Sequence, residues 1–121
     1  MGHLNSMKLY GIPNCDTVKK ARAWLSAHSL AHDFHDFKKL GVSAAWLQEV
    51  IEQTGWQALL NQRGTTWRKL EGAAKNAVID QASAIAIMLV QPSLIKRPVL
   101  EVKGRYHLGF SEPQYQAIFG E

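Results

Sequence analysis

The sequence predicts an α/β domain with strands at both ends and a mostly helical middle, and three observations predict it. KLYGI (8–12) and AHDFHDF (31–37) are short strand-like runs on either side of a helix-length stretch. Residues 43–90 carry helical spacing and turn signals. PVLEV (98–102) and RYHLG (105–109) flank Lys103-Gly104, which reads as a β-hairpin turn.

Taken in order, Lys8 to Ile12 is the first strand. From Cys15 to His28 the residues Val18, Ala21, Leu25 and His28 recur at helical spacing, with Lys19, Lys20 and Arg22 opposite. Residues 31–37 alternate as a second strand. Ser43 can cap a helix through Gln53, with Trp46, Leu47, Val50 and Ile51 inward and Gly55 ending it. That makes a β-α-β-α start. Between Gly55 and Gly72, NQRGTTWRKL and two turn signals predict short helical pieces joined by loops. AIAIMLV (84–90) alternates like a strand, but the preceding VIDQASA extends it to helix length, which favours a buried helix ended by Pro92. After the hairpin, Glu112 to Phe119 forms a terminal helix.

The length of 121 residues suits one domain, and 46% hydrophobic with 20% charged residues suits a folded core. Residues 1–6 read as a cloning scar ahead of a natural start at Met7, which leaves 7–121 as a single domain. The net charge of +4 is spread over scattered basic residues, so no nucleic-acid partner is expected. No apolar run of about 18 residues and no signal peptide are found, so a cytoplasmic protein without membrane contact is expected. A single cysteine excludes an internal disulfide, and any redox chemistry must use a thiol from another molecule.

That cysteine, Cys15, falls between the first strand and the first helix among Pro13, Asn14, Asp16 and Thr17. At the first turn of a helix, unpaired N–H groups and the positive end of the dipole favour thiolate over thiol. The thiolate is the nucleophile. The alternative is a buried, inert thiol packed as a small hydrophobe.

The motifs IPNCDTVKKA, NQRGTTWRKL, PSLIKRPVL and LGFSEPQY, in that order, resemble the ArsC/Spx family of thioredoxin-like proteins, most closely its small YffB-like branch. The resemblance spans nearly the whole chain from Met7. It implies a thioredoxin-like fold with a helical insertion between an N-terminal βαβ half and a C-terminal ββα half. It implies Cys15 as the nucleophile, with Arg63 of the RGT phrase and Arg97 of the RP phrase as catalytic partners. Two guanidiniums near a thiolate would stabilise it and could fork onto a carboxylate or oxyanion. Asn14, Thr17 and Pro98 are the expected substrate-binding residues, with Arg97–Pro98 expected to be a cis bond that leaves nearby backbone free to pair with a peptide such as glutathione.

Three departures narrow this expectation. Spx-type regulators carry a second cysteine where this chain has Val18, so a disulfide switch is impossible. Arsenate reductases of the family use an arginine where this chain has Gly109-Phe110, and a histidine where it has Gly11. The expected function is therefore a glutathione-dependent thiol–disulfide oxidoreductase with no bound cofactor and glutathione as co-substrate. The alternatives are an Spx-like adaptor for a protein partner such as RNA polymerase, and an arsenate reductase-like oxyanion reductase. His28, His32, His35 and His107 lack metal-ligand spacing, so no metal is expected, and His32 and His35 decorate opposite strand faces. Trp24, Trp46, Trp56 and Trp67 fit core or half-buried packing.

Overall fold

A computed structural model describes residues 7–120. The expected scar at 1–6 lies outside the described residues. These divide into two compact units, one made of residues 7–40 with 97–120, the other of Gly41–Lys96.

The first unit holds strand β1 (Lys8–Gly11), helix α1 (Asp16–Ala27), strand β2 (Asp33–Asp36), a one-turn helix α2 (Phe37–Leu40), and, after the second unit, strands β3 (Val99–Val102) and β4 (Arg105–Leu108) and helix α8 (Glu112–Ile118). The sheet order is β2-β1-β3-β4, with β1 parallel to β2 and antiparallel to β3, and β3 antiparallel to β4. Leu9 pairs with Phe34 on one side and Leu100 on the other, so all three face the same way. That face carries the core: Leu9 and Leu100 with Val18, Ala21, Trp24 and Leu25 of α1 and Tyr115 of α8. A βαβ half and a ββα half thus share one sheet in a thioredoxin-like arrangement, as the resemblance implies.

The turn between β3 and β4 has Lys103 at φ 52° and Gly104 at φ 79°, the positive pair that a tight two-residue hairpin demands. Helix α1 differs from its expected face in one respect. Trp24 takes the inward position, and His28, exposed at the helix end, stacks its ring on Trp24 at 3.8 Å while its Nδ1 lies 2.8 Å from the Trp24 carbonyl. A 3.6-residue period admits either residue at the edge of the buried stripe, and the larger apolar ring takes it. His32 precedes β2 and only His35 lies within it.

The second unit is the helical insertion: α3 (Ala44–Thr54), α4 (Trp56–Leu59), α5 (Thr65–Arg68), α6 (Gly72–Asn76), α7 (Gln81–Val90) and a 3-10 turn at Pro92–Leu94. Ser43 caps α3 by accepting the Trp46 N–H at 3.1 Å. Asp80 and Ser83 form a reciprocal capping box that starts α7. The expected buried helix forms there, but only Ala84 and Met88 are buried, while Leu89 (39% exposed) and Val90 (79%) face outward. An apolar helix is not thereby a covered one.

Candidate active site

Strand β1 ends at Gly11, and Ile12, Pro13 and Asn14 lead into Cys15, the N-cap of α1 with extended backbone (φ −146°, ψ 121°). This conformation sets an N-cap side chain over the first turn, where the second and third helical N–H groups have no partner within the helix. Here these belong to Thr17 and Val18. The Lys19 N–H donates to the Cys15 carbonyl at 2.9 Å and closes the turn. Cys15 makes no ordinary side-chain capping bond, as expected of a neutral thiol, a weak acceptor. The same donors act on the charged form.

Cys15 is half-buried, and burial by itself pushes its thiol up. The Val18 N–H, the Arg97 guanidinium through a hydrogen bond and its charge, and the Thr17 N–H outweigh burial, so the thiol lies below its ordinary pKa. The pairing of strands explains why Arg97 reaches this place. Because β1 and β3 are antiparallel, with Tyr10 opposite Val99, the end of β1 that leads to Cys15 lies beside the start of β3 that follows Arg97.

The Arg97–Pro98 peptide bond is cis, as expected. Pro98 is buried, and its carbonyl accepts the Gly109 N–H at 2.8 Å. Asn14 is exposed directly before Cys15, and Thr17 is half-buried.

Arg63 belongs to the other unit, where it is exposed in a turn closed by its N–H donating to Asn61 Oδ1 at 3.1 Å. That turn is held by the Asn61 N–H to the Leu94 carbonyl and the Lys96 N–H to the Leu59 carbonyl, both at 2.7 Å, around a Leu60–Ile95 bridge. Its part in the site stays an expectation.

Two contributors escaped the sequence reading. Val18 stands on the apolar face of the first helix and where Spx-type regulators carry a second cysteine, and the third residue after an N-cap is also a standard donor position. Gly11 stands in the first strand and where arsenate reductases of the family carry a histidine, and a glycine ending a strand also signals close approach by a neighbour. A Cβ on Gly11 would lie 2.8 Å from Val18 Cγ2.

Among the described residues, no group of three or more His, Cys, Asp or Glu could hold a metal ion, and no helix is long and apolar enough to cross a membrane.

Comparison with known proteins agrees with this architecture. The model of the ArsC family matches residues 10–118. An uncharacterized protein of Haemophilus influenzae is 43% identical over 111 residues, covering 92% of this chain and 96% of that one. The global transcriptional regulator Spx of Streptococcus agalactiae is 29% identical over 112 residues, covering 91% and 80%. Of solved structures, a protein named YffB is 52% identical with a TM-score of 0.88, covering 93% of this chain and 97% of that one. An arsenate reductase (ArsC) related protein from Brucella melitensis is 46% identical with a TM-score of 0.78, covering 100% and 99%. With a family match across most of its length and relatives this similar over nearly their whole chains, the protein belongs to the ArsC family.

Proposed function

We propose that this protein is a glutathione-dependent thiol–disulfide oxidoreductase with Cys15 as its nucleophile. The observation that carries the reading is the convergence of the α1 N–H groups and the Arg97 guanidinium on one half-buried thiol, which lowers its pKa. Lowering the pKa raises the share of thiolate at neutral pH, the form that attacks disulfides.

The Cys15 thiolate attacks one sulfur of a disulfide, forms a Cys15–S–S–R bond, and releases the other sulfur as a thiolate. This chain has one cysteine and cannot resolve that intermediate itself. When R is glutathione, a second glutathione thiolate attacks the glutathione sulfur, giving oxidised glutathione and regenerating the Cys15 thiolate. Electrons and sulfurs balance over the two exchanges. Glutathione carries two carboxylates, which suits a site lined by a guanidinium. Arg97 serves both thiolate and carboxylate, and Asn14, Thr17 and Pro98 offer the flanking contacts; a role for Arg63 as a second cationic partner is what the family resemblance alone implies. A cytoplasmic setting with a glutathione pool suits the scheme.

The test is intact-mass analysis after exposure to oxidised glutathione at neutral pH. One glutathione adduct, absent from Cys15→Ser and cleared by reduced glutathione, is expected; an adduct that reduced glutathione leaves in place contradicts the scheme.

A second reading rests on the likeness to proteins named as transcriptional regulators: an adaptor that binds a protein such as RNA polymerase. Val18 removes the disulfide switch and leaves binding untouched. Retention of an RNA polymerase subunit by Cys15→Ser would favour it. Oxyanion reduction is the least supported, since Gly11 and Gly109-Phe110 stand where arsenate reductases of the family use a histidine and an arginine.

A further inference from the structure

We infer that Gly11 is a positioning residue for Cys15, acting through Val18: the missing side chain at the end of β1 lets the first turn of α1 seat with its N–H groups facing the sulfur. The inference rests on the reading of Cys15 as nucleophile.

Val18 is fully buried and occupies the third helical position after Cys15, so its backbone N–H faces the N-cap side chain while its own side chain turns to the strand. A Cβ added at Gly11 would meet Val18 Cγ2 at 2.8 Å, Cγ1 at 3.6 Å and Cβ at 3.8 Å. The backbone of Gly11 is not in the left-handed region, so the obstacle to alanine there is Val18 alone. Valine in a helix holds essentially one χ1 rotamer and cannot swing its methyl aside. Relief therefore requires the strand end and the start of α1 to separate, and the start of α1 carries the Thr17 and Val18 N–H groups. Small displacements suffice, because hydrogen bonds weaken steeply with distance and angle.

Truncating Val18 to alanine removes both methyls that obstruct and keeps the backbone N–H. The nearest remaining contact to a residue-11 Cβ is then the former 3.8 Å one, ordinary van der Waals distance. Gly11→Ala should thus disturb the thiolate in the presence of Val18 and leave it undisturbed in the presence of Ala at 18, a coupling that a double-mutant cycle reads directly.

The experiment is the pH dependence of Cys15 alkylation in the parent, Gly11→Ala, Val18→Ala and the double variant. The expected result is a higher midpoint for Gly11→Ala than for the parent, seen below the midpoint as alkylation slowed about threefold or more, with no further rise when the same change is made in the Val18→Ala background. Gly11→Ala with the parent's midpoint overturns the inference while leaving the reading of Cys15 standing. A parent midpoint at or above about 8.5, the free-thiol value, removes that reading and the inference with it. If Gly11→Ala does not fold, the double variant decides. Folding with the midpoint of Val18→Ala supports the inference, and failure to fold or a raised midpoint overturns it.

Discussion

Replacing Tyr115 by phenylalanine should stabilise the protein, because its hydroxyl sits in the core without a partner. Tyr115 is fully buried in the cluster shared by α1, α8 and the sheet. Its ring stands edge-on to Phe110 at 4.7 Å and Trp24 at 5.5 Å. Among the described residues, the hydroxyl oxygen has no hydrogen-bond partner, and burial pushes the phenol well above its ordinary pKa. Leaving such a group unsatisfied costs about 1–3 kcal/mol. Phenylalanine keeps the ring contacts and loses only the oxygen, so a gain of about 1 kcal/mol is expected after allowing for the small void, raising Tm by about 4 °C for a chain of this size. The pH dependence follows from the raised phenol. The unfolded phenol ionises near pH 10 while the folded one stays protonated, so the titration of Tyr115 leaves the parent's stability unchanged below about pH 10 and lowers it as pH rises further. The advantage of Tyr115→Phe should therefore widen above about pH 10. Urea denaturation at pH 7 and pH 10.5 measures both effects. A loss of about 1 kcal/mol or more at pH 7 would refute the reasoning, since a satisfied hydroxyl is what gives such a loss.

Arg97→Ala should raise the midpoint of Cys15 alkylation and slow the reaction about three- to tenfold at a pH below it, with Arg97→Lys between the two because an ammonium keeps the charge and loses the fork; a parent-like profile for the alanine variant would remove Arg97 from the site. His107 is half-buried, and burial together with Arg105 lowers its pKa. The unfolded histidine binds a proton first as pH falls below about 6.5, so stability declines there, and His107→Gln should flatten that acid limb in urea denaturation measured from pH 7 to pH 5.

Much of the fold was legible where local chemistry dictates it. Ser43 and Gly55 bracket α3 because a side-chain acceptor and a positive φ (86°) are what its two ends require. Lys103-Gly104 announced the hairpin for the same kind of reason. Cys15 was legible as a helix-start cysteine, since the strand-like and helical spacings meet at it. Burial was harder to read. The apolar run of α7 reads as buried, yet which of its faces is covered depends on neighbours distant in sequence, and Val90 lies mostly exposed. The one-turn helix α2 was missed because it follows β2 without a break, starting where Asp36 Oδ1 accepts the Lys38 N–H at 2.9 Å. The approach of Gly11 to Val18 is a distance between two elements, and no local pattern encodes it. The partnership of Arg97 with Cys15 likewise arises only when β3 lies antiparallel beside β1, and the sequence suggested it through resemblance rather than spacing.

The central claim is a thiolate at Cys15 that prefers glutathione, and the most direct measurement compares two disulfides at neutral pH. The parent protein is mixed separately with oxidised glutathione and with a small neutral disulfide of similar potential, and adduct formation is followed by intact mass. Faster formation of a single Cys15 adduct with oxidised glutathione is predicted: the lowered thiol pKa speeds attack on both disulfides, and only glutathione would offer Arg97 a carboxylate. Equal rates with the two disulfides, or no adduct at neutral pH, would contradict the account.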